Sequence, residues 1–245
     1  MKHSFWCLFL LFASLCGEEI DLSLYEKSLY SQNGEDGVLA KIFQVVLPRS
    51  QFCVEFSSYD GVTDSNIHLF RLQGWKSVQF DRQYQIPKLN LYKEFVNTET
   101  IDEVFDRHQI SADLDLVSID VGYNDFYLWK ALDPKYRPSV VVIAYNASLA
   151  LEDKVVKYRP FYVGDDTNYY GASLPALYRL GRSKGYSLVY AESSGTNLFF
   201  IRDDLLTEDA TFKDRNEVEK LYRPPKEERS EDFKQRPYFS SEEVL

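Results

Sequence analysis

The residues with the most chemistry to offer stand just past apolar runs. The turn Ser57-Ser58-Tyr59-Asp60-Gly61 follows Phe52-Cys53-Val54-Glu55-Phe56, and Asp81 follows Val78-Gln79-Phe80. Asp120, Asn124 and Asp125 follow a run ending at Ile119, and Tyr145-Asn146 follows another ending at Ala144. A carboxylate has two acceptor oxygens and suits two adjacent hydroxyls, a role open to Asp81. Clustered oxygens such as Asp120, Asn124 and Asp125 can orient a hydroxyl nucleophile or hold a hard cation. Each residue alone also fits an ordinary turn or cap, where Asp, Asn and Ser are common. Four polar strand ends in register are harder to assign to turns alone, because open parallel sheets bind ligands at the carboxyl ends of their strands.

Other chemistries lack their residues. The three histidines, His3, His68 and His108, have no zinc-ligand or nucleophile-base spacing, and no Gly-Lys-Ser/Thr phosphate loop is present. A formal charge of -10 and a pI near 4.9 argue against a nucleic-acid partner, since no basic run offsets them.

The elements that must position these residues alternate helix and strand. Apolar spacing predicts helices over 35–46, 65–72, 100–108 and 173–184, with a short one around 127–132; Thr100, with Glu103 three residues on, is placed to cap the third. Strands are expected at 52–56, 77–80, 95–97, 114–119 and 140–143, followed by a hairpin of 187–190 and 198–202 through Ser193-Ser194-Gly195. Near-continuous apolar strands such as 114–119 and 140–143 belong in the buried middle of a parallel sheet. With 245 residues, 44% hydrophobic and 16% aromatic, the chain has the material for one α/β domain.

The motif Tyr30-Ser31-Gln32-Asn33-Gly34-Glu35-Asp36-Gly37, the 52–61 segment and Ser118-Ile119-Asp120 together resemble the FkbM-type methyltransferase-like family. Tyr169-Tyr170-Gly171-Ala172-Ser173-Leu174, Lys184-Gly185-Tyr186 and the run from Gly195 to Arg202 resemble that family's closing third, so the likeness spans about 25–203. The resemblance implies a Rossmann-like class I methyltransferase fold, mostly parallel with a C-terminal antiparallel hairpin, and S-adenosylmethionine as cofactor. It places Glu55, Ser57, Asp60, Gly61, Asp81 and Asp120 at the cofactor, with Asp81 on the ribose, and Asp120, Asn124, Asp125 and Asn146 at the reacting groups. The implied activity is methyl transfer to oxygen on a sugar or other small polar acceptor.

The chain departs from the family where it matters. Ser57 and Ser58 stand in place of Gly and Ala, Gly122 in place of an Asp, and Ala144 in place of a Glu. With one carboxylate gone after the fourth strand, no metal is expected. The alternative is a catalytically degenerate relative that keeps the fold as a binding or interaction module.

The ends of the chain differ in kind from the middle. Residues 1–17 have a basic start, a short apolar run and small residues at Ser14, Cys16 and Gly17, the pattern of a secretory signal peptide. Export to a periplasm or out of the cell is expected, with a cytoplasmic location if the leader is retained. The apolar run falls short of the roughly 20 residues of a bilayer span. Cys53 is then the only cysteine of the mature domain, 24–205, and reads as a small buried apolar residue. Residues 206–245 are charged, carry Pro224-Pro225 and Pro237, and are expected to be a flexible tail. Asn146-Ala147-Ser148 is a glycosylation sequon, read as fortuitous because it falls at the sheet edge facing the ligand.

Overall fold

A computed structural model of the protein describes residues 19–162, 164–207 and 211–245. The leader expectation for 1–17 lies outside the described residues.

Seven strands form one sheet: β1 (Phe52–Phe56), β2 (Lys76–Asp81), β3 (Leu91–Lys93), β4 (Leu116–Ile119), β5 (Val140–Ala144), β6 (Tyr186–Ala191) and β7 (Asn197–Arg202). Their order is β3-β2-β1-β4-β5-β7-β6. The first five are parallel, and β7 runs antiparallel to both β5 and β6. The fold is therefore α/β and Rossmann-like, closed by an antiparallel pair. The chain order reverses between β1 and β4, which makes their carboxyl ends the switch point where such sheets hold ligands.

Both faces of the central strands are apolar, so consecutive residues enter opposite layers. Val54, Phe56, Val141, Ile143, Leu198 and Phe200 pack into one layer, beneath α3 (Ile101–Arg107), α4 (Asp125–Ala131) and α5 (Leu174–Ser183). Cys53, Val140, Val142, Phe199 and Ile201 pack into the other, with α1 (Glu35–Val45) and α2 (His68–Leu72). Helix α5 starts where Ser173 Oγ accepts the Ala176 N–H at 3.3 Å, a side-chain cap followed by Pro175 in the first turn.

Three local expectations are corrected. The third strand is 91–93, not 95–97: Leu91 and Tyr92 pair with Gln79 and Phe80, and Phe95 to Asn97 turn away to line the cleft. Thr100 makes no side-chain cap on α3, because its Oγ1 turns back to Asn97, accepting the Asn97 N–H at 3.1 Å and donating to Asn97 Oδ1 at 3.3 Å. Helix α2 begins at His68 rather than 65, because Ser65 is drawn into a buried hydrogen bond with Glu55 and caps the helix from outside, accepting the His68 N–H at 3.1 Å.

The largest difference lies in 206–245, whose residues from Thr211 onward pack on the domain instead of trailing from it. Phe212 (1% exposed) and Leu221, on α6 (Val218–Leu221), are buried in the two sheet layers. Phe239 exchanges backbone hydrogen bonds with Val155 at 2.8 and 2.9 Å. Arg236 binds Asp165 and Asp232, with its guanidinium 4.2 Å from the Tyr169 ring centroid. The closing helix α7 (Ser241–Val244) begins with a reciprocal Ser240–Glu243 capping box. A few apolar plugs and one well-paired cation order a segment whose composition is mostly charged.

Candidate functional site

Three cavities of about 300, 260 and 270 Å³ meet along the carboxyl edge of the parallel strands, and Asp120 borders all three. The first lies over β1, β2 and β4. Phe56, Phe80, Val96, Val121 and Leu128 give it apolar walls, and Asp81 stands at its side. Its shape and lining suit a flat ring with a polar substituent near Asp81.

Asp81 is mostly committed to the protein. Its Oδ1 accepts the Gln83 and Tyr84 N–H groups at 2.7 and 3.0 Å, and its Oδ2 accepts the Tyr59 N–H at 3.0 Å. One acceptor position remains on Oδ2, so a vicinal diol finds one hydrogen bond here and not the two that the carboxylate alone would offer.

The turn after β1 is unusual. Ser57 has φ +61° and Tyr59 φ +46°, left-handed conformations that glycine adopts without penalty and other residues at a cost. Ser57 is nonetheless exposed and borders the first and second cavities, so the residue occupies the expected place in a strained form.

Asp60 and Gly61 do not face a cavity and shape the turn instead. The Asp60 carboxylate accepts the Val62 and Thr63 N–H groups at 2.8 and 2.7 Å. Gly61, at φ +74°, leaves no room for a side chain, since a Cβ there would lie 2.9 Å from Gln79 Oε1.

The second cavity is bordered by Glu35, Glu55, Asp64 and Asp120, with Asn66, Ser118 and Asn197 between them. Glu55 is buried and accepts hydrogen bonds from Ser65 Oγ (2.7 Å), the Asn66 N–H (2.7 Å) and Gln79 Nε2 (2.9 Å). Burial raises its pKa against the pull of those donors. Glu35, at the start of α1, accepts the Asn33 N–H at 2.7 Å and Asn197 Nδ2 at 2.8 Å. Asn197 is 5% exposed, and its Oδ1 has no partner among the described residues.

The third cavity lies over β4 and β5 and is walled by Tyr145, Tyr170, Thr196 and the segment 225–229, with Asp120, Asp125 and Ala144 also on its lining. Arg229 stacks over Tyr170 at 4.0 Å. Asp125 is 2% exposed and accepts the Val121 N–H at 2.6 Å. Desolvation, then the neighbouring Asp120, lift its pKa to about 8. Asp120 opens onto solvent in the cleft, yet it sits deep in the concavity where protein holds bulk water off. Desolvation raises its pKa, Glu35 pushes the same way and Arg229 opposes. Each of the two acids therefore influences the other's ionisation, so they lose protons as a pair and not independently.

Asn124 borders the first cavity, and its amide is tied to Arg159 through Nδ2 to the carbonyl at 2.8 Å. Asn146 is fully buried away from the cavities. Its Nδ2 donates to the Asn168 and Tyr170 carbonyls at 2.8 Å each, and its Oδ1 accepts from Ser148. Its place among the reacting groups is therefore corrected to a scaffold role, and the sequon there is inaccessible. The structure thus brings Glu55, Ser57, Asp81, Asp120, Asn124 and Asp125 onto one cleft and leaves Asp60, Gly61 and Asn146 behind it.

Sequence reasoning missed Glu35, Asn197 and Arg229. Glu35 and Asn197 lie 162 positions apart and meet only through the closed sheet. The available signal for Glu35 was an acid pair, Glu35-Asp36, opening an otherwise apolar helix. Among the described residues no cluster of His, Cys, Asp and Glu is arranged to hold a metal ion, and no helix is long and apolar enough to cross a membrane. In comparisons with known proteins, the chain matches no family model and no curated protein sequence.

Proposed function

We propose that the protein binds S-adenosylmethionine across the first and second cavities and transfers its methyl group to a hydroxyl of a small polar acceptor, such as a sugar, in the third. The observation that carries this reading is the union of three cavities at Asp120, on the carboxyl edge of a sheet with this strand order. The residues fit the cofactor: apolar walls for a base, Asp81 Oδ2 for one ribose hydroxyl, and an unpartnered Asn197 Oδ1 among acids for a cationic end. When bound, the cofactor supplies an electrophilic methyl on a sulfonium. In its ionised form Asp125, with a pKa raised to about 8, is suited to take the acceptor's hydroxyl proton, and it is neutral once it has done so.

A second reading, binding without turnover, is favoured by Ala144 on the wall of the third cavity, where the resembled family carries Glu.

Calorimetry with S-adenosylmethionine tests the shared premise. Binding is expected, with Asp81→Ala weaker by about 1–3 kcal/mol. Because that change also loosens the loop held by Asp81, Val96→Trp, which fills the first cavity, serves as an independent block. Labelled methyl transfer to a monosaccharide panel then separates the two readings, with Asp125→Asn abolishing transfer if the first is right. No heat from the wild-type protein at millimolar ligand overturns the cofactor reading.

A further inference from the structure

The second cavity has a one-sided charge. Four acids border it, and none of its lining residues is Lys, Arg or His. Two neighbouring cations are engaged elsewhere: Arg229 borders the third cavity and stacks over Tyr170, and Arg71 is hydrogen-bonded to Gln79 Oε1 at 3.4 Å. Four backbone donors in and beside its wall are already committed. The Asn33, Ser58, Tyr59 and Asn66 N–H groups donate to Glu35, the Phe80 carbonyl, Asp81 and Glu55 respectively.

What the cavity offers is acceptors. Asn197 is 5% exposed and its Oδ1 lacks a partner among the described residues, an arrangement that costs free energy unless a donor arrives. Glu35, on α1, and Asp120, past β4, add carboxylate oxygens from two further directions. A primary ammonium carries three N–H donors and a positive charge, which matches one amide oxygen and two carboxylates. Burial is the main reason that Asp120 resists ionisation and the Glu35 charge adds to it; a cation between the two carboxylates would offset both.

We infer that the second cavity is an ammonium subsite that discriminates against an adjacent carboxylate, so that the preferred ligand is an adenosyl sulfonium ending in a free primary amine, and S-adenosylmethionine itself is the weaker of the two. The inference rests on the nucleoside reading of the first cavity. The sulfonium and its methyl are the same in both ligands; only the group beside the amine differs. A carboxylate carried into the second cavity faces four acids and must be desolvated without a cation to pair with, which is unfavourable.

Calorimetry at pH 7.5 with three ligands tests it: S-adenosylmethionine, its decarboxylated form, and 5′-deoxy-5′-(dimethylsulfonio)adenosine, which keeps the nucleoside and the sulfonium but lacks the amine arm. The decarboxylated ligand is expected to bind at least about tenfold more tightly than either of the others. Glu35→Gln is expected to remove most of that advantage while leaving the armless ligand within about twofold. Asp120→Asn, on a side chain open to the cleft, repeats the test should the buried substitution fail to fold. If S-adenosylmethionine binds as tightly as its decarboxylated form or more so, the inference fails and the nucleoside reading stands. Silence from all three ligands overturns both.

Discussion

The sheet layers and the segment from Thr211 to Leu245 are held by different physics, although both are ordered. The layers rest on apolar side chains packed from both faces of β4, β5 and β7, with Val140 to Ile143 and Leu198 to Ile201 fully buried. The C-terminal segment buries only a few apolar groups, chiefly Phe212 and Leu221, and adds charge-assisted contacts around Arg236. Mean composition distinguishes the two correctly, but order depends on whether the few plugs meet sockets already built. Here they do, and the difference between the regions becomes one of response to solvent conditions rather than of order.

Removing residues 211–245 should give the largest effect. Burying Phe212 and Leu221 is worth about 1.5–3 kcal/mol each, so the loss is expected to be about 3–6 kcal/mol. In a domain of this size that lowers the melting temperature by about 10 °C or more. A thermal melt that moves by less than about 4 °C would mean that the segment merely drapes over the surface.

A single methyl group tests the layers. Gly181 lies on α5, where an added Cβ would fall 2.6 Å from Phe200 Cε1 and 3.1 Å from Trp129 Cη2. An alanine gains up to about 1 kcal/mol in helix propensity, whereas forcing it against fully buried rings costs about 1–3 kcal/mol. Packing should win, giving Gly181→Ala a net loss of a few degrees in melting temperature. A stabilised variant would show that the layer has slack.

The smallest effect separates the regions by pH. Hydrogen bonds from Arg236 hold the Asp165 and Asp232 carboxyls below their ordinary range. Their contribution is complete above the unfolded-state pKa of 3.8 and is lost as pH falls through the lower folded values. Protection factors, exchange rates corrected for their intrinsic pH dependence, should therefore fall in residues 230–240 as pH drops below 3.8, before they do so in β4 and β5. Arg236→Met should produce roughly a fivefold loss of protection there already at neutral pH, and remove the acid dependence. Equal loss in both regions would erase the distinction.

Much of the fold was legible because its signals are local. The apolar run 52–56 is a strand to the residue, and the helix expected over 173–184 forms as Leu174–Ser183. Polar residues after the strands marked the correct edge of the sheet. What could not be read were the partners that each polar group finds across the chain. Asp60 and Asn146 have the same residue types as site groups, yet their hydrogen bonds close loops. Glu35 and Asn197 gain their meaning only from each other. The third strand was misplaced because Leu91-Tyr92-Lys93 is too short to show a period, and pairing with β2 decides it.

Asp120 borders all three cavities, which makes it a thermodynamic coupling point as well as a wall. A cation in the second cavity holds its carboxyl ionised, and that charge is then felt by Asp125 and by any occupant of the third. Linkage requires the reverse to the same degree: an occupant that favours the ionised form of Asp120 tightens the cation. Occupancy on one side of this carboxylate is therefore communicated to the other by the location of a single proton, without any movement of the backbone.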